Sequence, residues 1–362
     1  MDMENLALYT NEFLNEQRQS GDVAADEFIL RQFSDPEAKK RLRTWLNRLE
    51  NNMQLESTAS GDSFSDTISS SDLIRNARQL PRWADPTLMK RGSAFFAAHA
   101  EAIMSLLGLL SLPYCYAAAD GAMVLQLSER MRTDTGRRLF ETADFVWAVM
   151  APEAFGRLGK GFSSILQVRI NHAAARYYTL QNEDWENSLG VPLNQEDMAG
   201  TNLSLSLIVI RGLRKLGYTI QYEEQFAFIH VWNVVGSLLG IHDDLLPNTG
   251  KEAQLLEAMI RKRQFKPSTQ GQSLTKSLTN YLSSSLQSSS INQPEVLGLM
   301  RFLLGDEVAK LLNLSAPQLS TNKIRLLKAL NLFNGLKGDE NSISAYHQAL
   351  RKFRLQKQAS IG

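Results

Sequence analysis

The chain has 362 residues, 43% hydrophobic and 21% charged, a globular mix that can bury a large core in more than one average domain's length. Its 39 basic and 38 acidic side chains leave a net charge of +1, so no strong field draws nucleic acid or an anionic membrane. A single cysteine, Cys115, excludes intrachain disulfides and cysteine-based zinc or iron–sulfur centres.

The opening residues, MDMENLALYTNEF, are acidic and lack a basic-then-apolar signal pattern, so a cytoplasmic location is expected. Residues 1–56 read as an N-terminal helical extension. Asp35-Pro36 marks a helix start, a capping carboxylate followed by proline at the first helical position. Leu42, Trp45, Leu46 and Leu49 then recur at helical spacing. Residues 57–72, rich in Ser, Thr and Asp, read as a polar linker. A large helical domain is expected over residues 73–362.

The most apolar stretch, Ala94 to Leu127, contains His99, Glu101, Pro113, Asp120 and Gln126, each costly against lipid. No integral membrane segment is expected there; paired buried helices broken near Leu112-Pro113 are. Helices follow over Asp120 to Met131 and Thr135 to Ala151, and then on the stretch from Gly156 to Leu180. Asn194, with Asp197 three residues on, caps a helix over Met198 to Leu216 that stops at Gly217. Glu223 to Leu239 and Lys251 to Gln264 are further helices. Pro267 to Pro294 reads as a long loop with one short helix around Leu278. Glu295 to Leu312, Gln318 to Leu332 and Ile343 to Gln356 close the chain. With no sustained alternating strand, no repeat and no Gly-rich phosphate loop, the fold class is all-α.

Three stretches carry candidate chemistry. In GRLGKGFSSILQVRINHAAARYYTL, Arg169 and Arg176 stand three before and four after His172, so one helix face shows an imidazole between two guanidiniums. Ile165, Val168, Ile170 and Ala173-Ala174-Ala175 flank it. Such a face suits haem, whose ring, iron and propionates each need a different partner. The same pattern also suits a hydrogen-bonded core histidine beside surface arginines. On the preceding helix Arg138, Thr142, Phe145 and Val149 line one face, where Thr142 is equally able to bond back to its own helix. GIHDDLLP pairs Asp243 with Asp244, which could bind magnesium for diphosphate chemistry or form an N-capping turn. Zinc-protease, nucleophile-elbow and di-iron spacings are absent. His99, His230, His242 and His347 receive no role.

From Leu80 to Leu314 the chain resembles the rubber oxygenase (latex clearing protein) and mycophenolic acid oxygenase family. The carriers, in order, are LPRWAD, SLPYCYAAADGAMVL, RRLFETADFV, VRINHAAAR, PLNQEDMAGTNL, W-x-x-x-G-x-L-L-G-I-x-x-D-L-L-P and GDEVAKLLNL, with a thirty-residue step from Thr142 to His172. The resemblance implies an all-helical fold, haem b held without covalent attachment, and His172 as the iron ligand. It places Arg138 and Thr142 near the haem, and Arg169 and Arg176 around the ligand histidine. It also implies oxygen-dependent cleavage of C=C bonds in an apolar unsaturated substrate, such as an isoprenoid, with O2 and an electron donor as partners. Two positions depart from the family. Glu141 stands where the rubber oxygenases have a lysine, and is expected as a base or weak ligand. Ala122 stands where they carry a glutamate. The alternatives from other classes are a non-catalytic haem carrier or gas or redox sensor, and a magnesium-dependent isoprenoid diphosphate enzyme.

Overall fold

The computed structural model describes residues 8–55, 71–127, 135–285, 293–317, 319–320, 322 and 342–361. Within these the chain is all-α. Helices begin where a short side-chain acceptor satisfies a free N–H of the first turn. Thr10 caps α1 (Asn11–Arg18), Asp22 caps α2 (Val23–Phe33), and Asp35, with Pro36 next, caps α3 (Pro36–Arg48). A short α4 (Asp72–Asn76) follows. Asp85 accepts from the N–H groups of Thr87 and Leu88 to start α5 (Pro86–Leu106).

The expected break at Pro113 is absent. Instead α5 passes through a π turn (Leu107–Ser111) directly into α6 (Leu112–Tyr116). Proline lacks the N–H that an α-helix bonds to the carbonyl four residues back, and the wider turn re-phases the backbone just before it. This run, Pro86–Tyr116, is long and apolar enough to cross a membrane by composition alone. However, 56% of its most apolar window is buried inside the protein, as in a core helix.

Next come α7 (Ala119–Leu127), α8 (Thr135–Val149), α9 (Gly161–Thr179), α10 (Gln195–Leu205) and α11 (Leu207–Leu216). The single helix expected over Met198 to Leu216 is two, because Ser206 leaves helical geometry at φ −111°, ψ −84°. Gly217, at φ 99°, ends α11 in the left-handed conformation that glycine adopts most readily. The chain continues with α12 (Tyr222–Leu238), α13 (Gly250–Gln264), α14 (Thr269–Ser285), α15 (Gln293–Leu304), α16 (Asp306–Leu311) and α17 (Ser342–Ile361). The long loop expected over Pro267 to Pro294 is therefore mostly the helix α14. Leu278 is fully buried and Thr275 and Thr279 nearly so, while Thr275 and Ser283 bond back to carbonyls four residues earlier. Tertiary burial has overridden a composition that favours turns. The linker expected over 57–72 and the helix expected over Gln318 to Leu332 lie almost wholly outside the described residues.

The core is centred on α5 and α12. Their closest approach is at Gly92, where a Cβ would stand 2.5 Å from the Ala227 carbonyl oxygen. Phe96, Phe228 and Trp232 are fully buried there, each ring contributing about 2–3 kcal/mol through burial. The C-terminal helix α17 closes this core through Tyr346, whose hydroxyl donates to the Trp147 carbonyl at 2.7 Å. Phe28, Ile29, Leu42, Leu49 and Leu55 belong to the same apolar cluster, so the N-terminal helices pack into the core of the later ones. The stripe read as Leu42, Trp45, Leu46 and Leu49 is the face that does this.

Candidate functional site

Helix α9 lies against α2 on one side and α8 on the other. It carries His172, whose Nδ1 is buried and has no hydrogen-bond partner. Burial, helped by the neighbouring Arg176 cation, pushes the imidazole down to about 4. The ring is therefore neutral at physiological pH and keeps a nitrogen lone pair, the form in which histidine binds a metal.

The remaining histidines have structural surroundings. His230 accepts at Nε2 from the Asp85 N–H at 2.9 Å and meets Trp83 edge-on. His99 packs between Phe95 and Tyr218, His242 Nδ1 lies 3.0 Å from Gln17, and His347 lies against Tyr346.

The two arginines flanking His172 turn to the N-terminal helices. Arg169 grips Asp22 with both prongs of its guanidinium, Nε at 2.5 Å and Nη2 at 2.9 Å, and Nη1 donates to the Leu238 carbonyl at 3.2 Å. Gly240 makes room for that carboxylate, since a Cβ there would fall 2.4 Å from an Asp22 oxygen. Arg176, 1% exposed, donates to Asp26 at 2.7 Å and to the Leu193 carbonyl at 3.2 Å. Its Nη2 is buried and unpartnered. Arg169 is thus a brace, whereas Arg176 retains one free donor. Sequence reading missed Asp22 and Asp26. Their four-residue spacing on α2 places both on the face that meets α9.

On α8, Arg138 and Thr142 share a small cavity of about 20 Å³ with Tyr116, Leu112, Leu274 and Leu278. Arg138 makes no hydrogen bond or ion pair with any described residue, and burial pushes its guanidinium down. An unpaired, desolvated cation is costly in a fold and suits a site that receives an anion. Thr142 donates to the Arg138 carbonyl at 2.9 Å, so in this rotamer its oxygen is left as an acceptor. Tyr116, not singled out by sequence, is pushed up to about 12 by burial, so its hydroxyl stays protonated.

The structure does not bring Glu141 to this cavity. Glu141 is exposed and accepts from Arg137 Nε at 2.9 Å, one turn apart along the solvent side of α8. Ala122 is fully buried on α7 and offers no functional group. Asp243 and Asp244 are exposed residues of a 3₁₀ turn (Asp243–Leu245). Among the described residues no three acidic, histidine or cysteine side chains cluster as a metal site, which leaves the magnesium reading without support.

The donor chemistry present is of the kind a haem takes. A neutral histidine with a buried, unpartnered ring nitrogen would serve as an iron ligand. A half-buried guanidinium on the adjoining helix, making no hydrogen bond with any described residue, would meet a propionate or a developing negative charge.

The comparisons with known proteins bear on the family and the fold. A family profile described as ER-bound oxygenase mpaB/B'/Rubber oxygenase, catalytic domain, matches residues 86–331. A rubber oxygenase from Streptomyces sp. (strain K30) is 24% identical over 247 residues, covering 67% of this chain and 60% of that protein's own length. The solved structure of Latex Clearing Protein LCP in the closed state superposes with a TM-score of 0.76, at 22% identity, over 94% of this chain and 91% of that one. The likeness in structure extends to the N-terminal helices, which the family profile leaves out.

Proposed function

Because the chain belongs to the mpaB/B'/rubber oxygenase catalytic-domain family, we propose that it is a haem b-dependent oxygenase that cleaves a C=C bond of an apolar, isoprenoid-class substrate with O2. The observation that carries this reading is the buried, unpartnered Nδ1 of a histidine held neutral on α9. The chemistry that haem b supplies when bound is dioxygen activation.

Everything else is the work of this chain's residues. His172 offers its lone pair without first losing a proton. Arg138 holds a propionate or a negative charge that develops in the reaction, in a place where little water competes. Tyr116, protonated across the physiological range, donates a hydrogen bond into the same cavity. Thr142 contributes an acceptor oxygen. The apolar side chains Leu112, Leu274 and Leu278 exclude water around these groups. An alkene and O2 balance to two carbonyl groups, so an electron donor serves only to prime the cofactor. Glu141, ion-paired at the surface, is not carried forward as the base.

The test is the absorption spectrum of freshly purified protein, oxidised, reduced with dithionite, and reduced with carbon monoxide. A Soret band that moves at each step, and is lost in a helical His172→Ala variant, is the expected result. A protein that stays colourless with added haemin, or a His172→Ala variant that holds haem equally, overturns it. A non-catalytic haem carrier or sensor has one observation in its favour: among the described residues no carboxylate lines the Arg138 cavity. Oxygen uptake on an unsaturated isoprenoid lipid separates the two, since a carrier gives none.

A further inference from the structure

A second cavity is lined by residues of α6, α7, α10 and α13. Its volume is about 80 Å³, four times that of the Arg138 cavity. Leu125, Leu203, Ile260 and Phe265 form most of its wall. The charged groups at its rim are already matched. Asp197 accepts from Asn194 Nδ2 at 2.9 Å and from Arg18 at 3.4 Å. Glu257 accepts from the Tyr114 hydroxyl and pairs with Arg211 at 2.6 Å and Arg261 at 3.3 Å. Gln264 donates to Glu196 at 3.1 Å, and Cys115 donates to Ser204 at 3.0 Å. A charged ligand needs a countercharge free to meet it, and Asp197, Glu257 and Arg261 each already hold a hydrogen-bond or ion-pair partner.

Glycine deepens the space. Gly121, within α7, lines the cavity, and a Cβ built on it would meet nothing within 4 Å. Alanine would fit and would favour the helix, so helix stability does not explain a glycine here. On the facing helix Gly200 lets Ile260 approach, at 3.3 Å from where a Cβ would stand.

We propose that this cavity is a binding site for a compact, uncharged aliphatic molecule of about three carbons, scaled from the roughly 150 Å³ cavity that accepts the six carbons of benzene. It shares α6 with the Arg138 cavity, Tyr114 and Cys115 lining the one and Leu112 and Tyr116 the other, but the two have no lining residue in common. The ligand class coincides with that of the substrate proposed above. The site itself stands on the cavity alone and does not require haem.

The test uses the full chain with propene as probe and propanoate as its charged counterpart. The alkene raises the melting temperature of the wild type by about 2 °C near saturation, and the carboxylate does not. A Gly121→Leu variant, whose side chain fills the space, folds with an undiminished melting temperature and loses the response. Cys115 is the chain's sole thiol and lines the cavity, which supplies a second readout on the wild type. Its alkylation by a small uncharged reagent slows about threefold at an alkene concentration twice the dissociation constant. If Gly121→Leu does not fold, thiol protection by the alkene and not by the carboxylate supports the site. No melting shift with no thiol protection overturns the proposal, as does an equal response to the carboxylate or a response undiminished in folded Gly121→Leu. Each outcome is read without haem, so it stands whatever the absorption spectrum shows.

Discussion

Arg169 on α9 and Arg138 on α8 are the same residue on neighbouring helices, yet they live in opposite circumstances. Arg169 is satisfied: a carboxylate takes two of its prongs and a backbone carbonyl the third. Arg138 is half-buried and makes no hydrogen bond or ion pair with any described residue. The first arrangement fixes α9 to the N-terminal helices and so fixes the position of His172. The second leaves a cation whose desolvation is offset only in part, by Tyr116 and Glu141 without a hydrogen bond to either, which is how a binding site differs from a brace. Family resemblance had grouped both as haem-side arginines; geometry separates them.

The largest effect expected from this contrast comes from breaking the brace. Asp22→Asn keeps an acceptor for the Ala25 N–H but removes the charge facing Arg169. The two side chains are 4% and 13% exposed. A loss of about 3 kcal/mol is expected in urea unfolding, because Arg169 is left buried and uncompensated. Adding Arg169→Leu to Asp22→Asn should recover much of it. A loss below about 1 kcal/mol in the single variant would show that solvent already screens the pair.

Asp197 is the next largest case and a graded version of the same contrast. Arg18 reaches it only at 3.4 Å, while making a shorter bond of 2.8 Å to Asp120. Burial outweighs that attraction and raises the carboxyl from 3.8 to about 7, with Glu196 and Asp120 adding to the effect. The folded state thus holds this proton more tightly than the unfolded chain. The stability it contributes is fully present below pH ~4 and is lost as the pH rises through ~7. Asp197→Asn mimics the neutral acid, so the variant's advantage over the wild type should be about 2–3 kcal/mol larger at pH 8 than at pH 5. Taking the difference between the two proteins at each pH cancels every other titrating group. A difference that does not change from pH 5 to 8 would mean that Asp197 is ionised throughout.

Arg138→Leu should behave opposite to Asp22→Asn. Removing a half-buried cation that makes no hydrogen bond with any described residue leaves the stability of the haem-free chain unchanged or raises it by up to about 1 kcal/mol. Haem affinity should fall about tenfold, the worth of one charge-assisted contact. A variant that is destabilised without any loss of haem would move Arg138 into the same class as Arg169.

How much of this was legible beforehand follows from the range of each interaction. The caps at Asp35 and Asn194 and the stop at Gly217 are local and were read correctly. That His172 shares a helix with Arg169 and Arg176 was legible because the three stand at helical spacing; its role as an iron ligand is the proposal made above. Their carboxylate partners were not, because Asp22 lies 147 residues from Arg169 and Asp26 lies 150 from Arg176. Helix α14 was missed for a related reason. Its serines and threonines favour turns until Leu278 finds a core that no local window contains.

The smallest expected effect concerns Glu141, and it bears most directly on catalysis. A residue three positions after Arg138 and one before Thr142 lies close to both in helical phase, so spacing alone cannot place it in or out of the cavity. In the fold its side chain is 56% exposed and its partner, Arg137, 72%. An exposed pair one helical turn apart contributes about 0.3–0.5 kcal/mol, and salt screens it. Glu141→Gln should therefore lower stability by no more than about 0.5 kcal/mol and leave oxygen uptake within about twofold of wild type. Tyr116→Phe, by contrast, removes a donor from the cavity itself and should lower uptake about tenfold or more at unchanged haem content. The reverse order of these two effects would return the proton chemistry to Glu141, and would require α8 to turn that carboxylate away from Arg137 and into the protein when substrate binds.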